Sequence, residues 1–286
     1  MSLLRRLCSL RRRPLRPVVW TVLVLSLTIA FPASSADIFS VIYANPSGVT
    51  VLHDGSVTVD ISNVNHGYIM VRHAGSAKRL KTQVSDGAVV YTYDQNSEGA
   101  YETFPLQNGS GQYKVEVFEN VRDANYAKVF SKSFFADVPI ANAAFLCPTQ
   151  FIWYTPTTVA VAKSFELCSE LSTEAEKVQA LYNFVGDTIL YDYIKALTVQ
   201  KGYRPDLDSI LASSMGICFD YASLLACMLR VQGIPAKLVM GDVETEGKYH
   251  AWNQVFIEGM WMLMDPTFKN AKTGYTESDY YPEKVY

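Results

Sequence analysis

Gly216-Ile217-Cys218-Phe219-Asp220-Tyr221-Ala222 opens an apolar run that continues to Gln232 and closes with Gly233-Ile234-Pro235. The order is turn, helix start, buried helix, helix stop. Gly216 permits a tight approach of the backbone. Cys218 falls in the first turn, where unpaired N–H groups and the positive end of the helix dipole favour a thiolate. Phe219 to Val231 is apolar around nearly its whole circumference, which predicts a central helix covered on several sides. Gly233 suits the left-handed position after the last turn, and Pro235 cannot continue the helix. A cysteine so placed is either a nucleophile or an inert core thiol, and this stretch alone leaves both readings open.

The second half of the signal lies downstream. Lys248 to Ile257 and Met260 to Asp265 read as two strands, separated by Glu258-Gly259. A two-residue X-Gly loop marks a hairpin. That loop pairs Ile257 with Met260, Phe256 with Trp261 and Trp252 with Asp265. His250 and Asp265 then share a face as diagonal neighbours, about 7–8 Å apart between backbones and within side-chain reach. A three-residue loop would separate them, so the expectation depends on register.

Cys218, His250 and Asp265 make a set whose types fit one chemistry. A thiol must lose its proton to attack an acyl carbon. An imidazole takes that proton and returns it to the leaving group, and a carboxylate holds the ring in one tautomer.

These segments resemble the transglutaminase-like superfamily of papain-type fold. Gly216 to Ala222 is similar to its nucleophile motif, and Met228 to Ala236 to the usual end of its helix. Tyr249-His250-Ala251-Trp252-Asn253-Gln254-Val255 resembles its histidine strand. Trp261 through Asp265-Pro266-Thr267 resembles its aspartate strand. The likeness covers roughly residues 170–270, with three motifs in the family's order. It implies Cys218 as nucleophile, His250 as base and Asp265 as orienter. It does not fix the reaction, because members include proteases, amide-crosslinking transferases, deamidases, peptide N-glycanases and proteins that have lost the site.

Residues 1–36 read as a signal peptide. Six arginines precede Val18 to Phe31, an apolar run of fourteen residues, and Ser34-Ser35-Ala36 offers a cleavage site before Asp37. The run is short for a bilayer span, and an uncleaved N-terminal anchor is the alternative. Without the leader, the 25 basic residues fall by six to 19 against 28 acidic ones, a net charge of −9. That balance argues against nucleic acid and anionic membrane as partners.

Residues 37–140 read as an all-β immunoglobulin-like sandwich, with short strands and turn clusters such as His53-Asp54-Gly55 and Asn108-Gly109-Ser110-Gly111. His53, His66 and His73 match no metal-site spacing and read as surface or turn residues. Residues 141–286 read as the α+β papain/transglutaminase-like catalytic domain. Within it, Thr173-Glu174-Ala175-Glu176 has the spacing of a capping box, and Tyr191 to Pro205 is a tyrosine-rich connection suited to one wall of a cleft. Asn270 to Tyr286 reads as a loop. Cys218 and Cys227 point to opposite sides of one helix and cannot pair. Cys147 and Cys168 are either a disulfide or free buried thiols.

The expected protein is an exported, bacterial-type enzyme that transfers acyl groups from peptide or side-chain amides. Peptide hydrolysis stands ahead of glutamine crosslinking or deamidation, and a non-catalytic adhesion or scaffold protein is the third reading. No cofactor or metal is expected. The expected partners are a protein or peptide substrate and an extracellular or cell-wall ligand for the sandwich, with membrane contact only through an uncleaved leader.

Overall fold

The computed structural model describes residues 40–244, 248–270 and 276–286. The leader lies outside the described residues. Among those described, no helix is long and apolar enough to cross a membrane.

The first part of the chain builds two antiparallel sheets. Its strands are β1 (Val51–Asp54), β2 (Val57–Asp60), β3 (Tyr68–His73), β4 (Leu80–Ser85), β5 (Val90–Gln95), β6 (Glu102–Pro105), β7 (Gly111–Arg122) and β8 (Asn125–Ala136). One sheet runs β1-β2-β3-β6 and the other β5-β4-β7-β8. Their inner faces share one core, with Tyr93 of β5 edge-on to Phe104 of β6 at 5.1 Å. Alternation decides which face is inward. In β7, Tyr113, Val115 and Val117 are buried, as a period of two requires. β4 and β6 are absent from the sequence reading. In β4 the buried Leu80, Thr82 and Val84 alternate with Lys81, Gln83 and Ser85, so its mean hydropathy is low although its pattern is strict. His73 also departs from the surface reading. It is buried, with Nε2 2.7 Å from the Ser56 hydroxyl and 3.4 Å from Glu119.

The second part is α+β. Helices α1 (Val159–Cys168) and α2 (Glu174–Thr188) lead to the short strand β9 (Leu190–Tyr191). Helices α3 (Tyr193–Thr198) and α4 (Leu207–Ser213) follow, then strand β10 (Met215–Gly216). The apolar run becomes α5 (Cys218–Arg230). It packs against α1, α2 and α4 and against a four-stranded sheet. That sheet holds β11 (Ala236–Val243), β12 (Lys248–Ile257), β13 (Met260–Met264) and β14 (Tyr280–Val285), in the order β13-β12-β11-β14. Leu224, Leu225, Met228 and Leu229 of α5 have no exposed surface. Each contributes about 1.5–3 kcal/mol of burial.

Local chemistry sets the ends of these elements. Thr173 Oγ1 accepts the Glu176 N–H at 3.2 Å while Glu176 accepts the Thr173 N–H at 2.9 Å, the reciprocal box predicted for α2. Glu258 and Gly259 both have positive φ, 51° and 82°, as a type I′ hairpin turn demands. Ile257 therefore pairs Met260 and Phe256 pairs Trp261, the expected register. The tail differs from its reading as a loop. Tyr280 to Val285 returns as β14, antiparallel to β11, with Pro282 on the outer edge where a missing N–H costs least.

All four described cysteines are free thiols. Cys147 packs with Tyr68 and Met70, whereas Cys168 closes α1 in the main core, so the bridge the sequence allowed is not formed.

Two polar ties join the β part to the α+β part. Gln107 donates to the Val285 carbonyl at 2.9 Å. Arg204 forms an ion pair with Glu102, which is only 7% exposed, and donates to the Asp94 carbonyl at 2.9 Å. Glu102→Gln should cost about 1–3 kcal/mol, because it weakens a charge-assisted bond to a buried group. For a protein of this size that lowers the melting temperature by several degrees at about 2–4 °C per kcal/mol. Thermal denaturation followed by circular dichroism checks this. Lys81→Met, which removes an exposed pair with Asp94, should shift the transition far less.

Candidate active site

Cys218 is the first residue of α5, and a buried carboxylate organises the approach to it. Asp220 has no exposed surface, and its Oδ2 accepts the Ile217 N–H at 2.8 Å, capping the helix. Lys195 Nζ lies 2.6 Å from the same oxygen, and the Tyr203 hydroxyl donates to Oδ1 at 2.6 Å. Burial and the neighbouring Asp220 carboxylate both hold the Tyr203 phenol protonated, which suits it as a donor. A Cβ on Gly216 would sit 2.7 Å from the Asp220 Cβ, so this fold of the chain needs glycine there. The Asp192 N–H donates to the Gly216 carbonyl at 2.8 Å, tying the start of α3 to the same turn.

His250 comes from β12 and Asp265 follows β13. Register and side-chain reach bring them together, with His250 Nε2 2.7 Å from Asp265 Oδ2. Asp265 is almost wholly buried and fully partnered. Its Oδ2 also accepts from the Tyr280 hydroxyl at 2.9 Å, and its Oδ1 accepts the Thr267 N–H at 2.9 Å. Nε2 is committed to the carboxylate, and Cys218 lies close enough to His250 to raise its pKa. The Phe268 ring stacks on the imidazole at 4.6 Å and 5°, which fixes its plane. Burial works against a charged imidazole, but the bonds to Asp265 and Cys218 outweigh it and push His250 up to about 9.

Two ties set the spacing between helix and strand. Asn253, three residues beyond His250 on β12, has no exposed surface, and its amide donates to the Ala222 carbonyl at 2.9 Å and to Lys237 at 3.1 Å. Ala222 lies one turn after Cys218, so this bond fixes the histidine strand against the first turn of α5. At the far end, the buried Arg230 guanidinium donates to the carbonyls of Ala236 at 2.7 Å and Cys147 at 2.6 Å. Burial lowers its pKa, while the negative end of the helix dipole and these carbonyls favour its charge.

The other cysteines are unlike Cys218. Burial pushes Cys147 up to about 11 and raises Cys168 and Cys227, and both Cys147 and Cys227 are fully covered. Cys218 is half-buried and opens into a cleft of about 1130 Å³. One wall carries Tyr191, Tyr193 and Leu197, as the tyrosine-rich connection suggested, and the other carries Met240, Tyr249 and Phe268. Trp252 is core, and Trp261 packs with Phe145 and beneath Lys237, so neither lines the cleft.

Sequence reasoning missed Lys195, Tyr203 and Tyr280. Asp220 was visible within the nucleophile motif, but nothing in the spacing joins it to residues 17 and 25 positions upstream. Tyr280 acts across a strand pairing that its proline obscured.

A half-buried thiol at a helix start and an imidazole line one cleft, with a buried carboxylate bonded to the imidazole. Residues 162–266 match the family model described as the transglutaminase-like superfamily. The chain is 30% identical over 114 residues to human kyphoscoliosis peptidase, covering 36% of this chain and 17% of that protein. For the mouse protein of the same name the figures are 29% over 126 residues, 40% and 19%. The chain thus spans under a fifth of the length of these curated relatives. Among solved structures, one described as a TGase aligns at 23% identity and TM-score 0.35, over 42% of this chain and 33% of that one. A candidate cysteine protease from Cytophaga hutchinsonii aligns at 15% identity and TM-score 0.39, over 68% of each chain.

The raised pKa has a definite sign. A folded value near 9 against about 6.5 for a free imidazole means that the charged ring stabilises the fold fully below about 6.5, and that this is lost as pH rises through about 9. NMR titration of the imidazole should show His250 charged at neutral pH. In Asp265→Asn the titration should move down toward the ordinary value. An unchanged titration in that variant would remove the carboxylate as the cause.

Proposed function

We propose that the protein is a cysteine hydrolase that cleaves peptide amides, with Cys218 as nucleophile, His250 as acid–base and Asp265 as orienter. The observation that carries this reading is the imidazole bonded to a buried carboxylate in the cleft that Cys218 also lines. The Cys218 sulfur attacks the amide carbon, and its proton resides on His250. The tetrahedral oxyanion forms beside the N–H groups at the start of α5, of which the Cys218 N–H is the nearest donor. His250 gives its proton to the departing amine, leaving a thioester. Water then attacks, His250 takes a proton from it, and the acid leaves as the thiol is restored.

Water is favoured over an amine as the second acceptor. A transferase must shield its thioester from water at molar concentration. Here the tryptophans that would build such a cover pack elsewhere, and the cleft rim at Tyr193 and Leu197 is exposed. The curated relatives bear the name peptidase, which supports the same choice.

The proposal extends to the rest of the chain. Residues 1–36 serve as a cleaved leader, so the enzyme acts outside the cytoplasm with Asp37 as its first residue. Residues 37–140 form an immunoglobulin-like sandwich, supported by the sheet order β5-β4-β7-β8 opposite the β3-β6 pair. Its ligand is extracellular or in the cell wall.

Cys218→Ala should abolish turnover, and His250→Ala should cost about as much, because members of such a set act as a unit. Asp265→Asn should lose less than His250→Ala but more than about tenfold, through the wrong imidazole tautomer. Incubation with a casein-like substrate and a tagged primary amine separates the reactions. Fragments without tag are expected, whereas tag on glutamine without backbone cleavage would overturn hydrolysis in favour of crosslinking.

A further inference from the structure

Helix α3 forms one wall of the cleft yet buries none of its own residues. A surface helix ordinarily turns an apolar stripe inward and polar residues outward. In α3 the large apolar side chains stay in solvent, with Tyr193 75%, Ile194 77% and Leu197 88% exposed. Its attachment is polar instead. Asp192 caps its start by accepting the Lys195 N–H at 2.9 Å, and Lys195 Nζ reaches the buried Asp220 and the Tyr203 hydroxyl, both at 2.6 Å. Lys195 also lies 4.4 Å from the centre of the Tyr203 ring. The helix is thus pinned to the residue that caps α5, while its Tyr193 and Leu197 line the cleft that holds Cys218.

The chemistry of the cleft narrows what those side chains can meet. Tyr193 and Leu197 line the same cavity as Cys218 and His250, and Met240 and Phe268 stand on the other wall. Among the described lining residues, the charged or titratable side chains beyond the thiol, His250 and the tyrosines reduce to Lys201, and no carboxylate is present. A basic substrate side chain would find no partner there. Apolar surface of this extent beside a reactive thiol marks a binding site rather than ordinary surface.

We infer that α3 is a specificity wall: Tyr193 and Leu197 receive a bulky apolar or aromatic side chain of the acyl-donor peptide next to the amide under attack. The inference rests on Cys218 being the acyl acceptor. It adds a substrate class to that reading, and it holds whether water or an amine completes the reaction.

The test uses the protein without its leader and reads covalent labelling of Cys218, so it needs no turnover. Peptidyl electrophiles bearing Phe, Leu, Lys or Asp next to the reactive carbonyl are compared by their second-order labelling rates, followed by mass spectrometry. The wild type should label at least about tenfold faster with Phe or Leu than with Lys or Asp, in the range one apolar pocket supplies. Leu197→Asp should lose that preference and gain on the Lys probe. Leu197→Ala should weaken the preference without reversing it. Leu197 is exposed, so folding should be unaffected in either variant, and iodoacetamide, too small to need the wall, should label Cys218 at the wild-type rate in each. Equal rates for all probes, or an apolar preference that survives Leu197→Asp, overturns the inference. So does a change of oligomeric state in Leu197→Asp with unaltered probe selectivity, which would assign the patch to a second copy of this chain. If Cys218 resists iodoacetamide in the wild type, it is the assignment of the nucleophile that falls. If probes are selected but no peptide is cleaved, the wall stands and hydrolysis falls.

Discussion

The buried carboxylate of Asp220 is the constraint on which the site depends. A carboxylate with no exposed surface must have its lone pairs met, and here the partners come from three places in the chain. The Ile217 N–H comes from the helix start, Lys195 from α3, and the Tyr203 hydroxyl from the loop beyond it. Satisfying one side chain therefore brings the helix carrying Cys218 and the wall of the cleft into a single arrangement. Arg204, next to Tyr203, carries that arrangement outward to Glu102 in the β part.

His250 is placed by a separate set of contacts. A two-residue turn sets the register of β12 and β13, and the register puts His250 and Asp265 on one face. Asn253 then fastens β12 to the first turn of α5. The helix brings Cys218 and the sheet brings His250, and one buried amide ties the two elements together. The long apolar body of α5 gives this assembly its rigidity, since removing any of its buried leucines would open a cavity costing about 2–5 kcal/mol.

Electrostatics at the site follow from which partners are buried together. His250 is nearly covered, which alone would favour the neutral ring. Asp265 reverses that balance, and Asp265 in turn is held by Tyr280 and by two backbone N–H groups. The strand that brings Tyr280 also pairs its backbone with β11, so these residues take part both in the sheet and in holding Asp265.

The sequence by itself determined whatever depends on spacing along one element or across one tight turn. The helix and its stop, the capping box at Thr173 and the hairpin register follow from 3.6-residue and two-residue periods and from turn chemistry. From them came the convergence of His250 with Asp265 and the place of Cys218 at a helix start. Tertiary structure decided the rest. β4 is hidden because its exposed face is polar and its buried face short, and β14 because a proline and charges mark an edge. Lys195, Tyr203, Asn253 and Tyr280 act on residues 15 to 31 positions away. No local period encodes such distances, because those contacts exist only once burial has forced each polar group to find a partner in the folded chain.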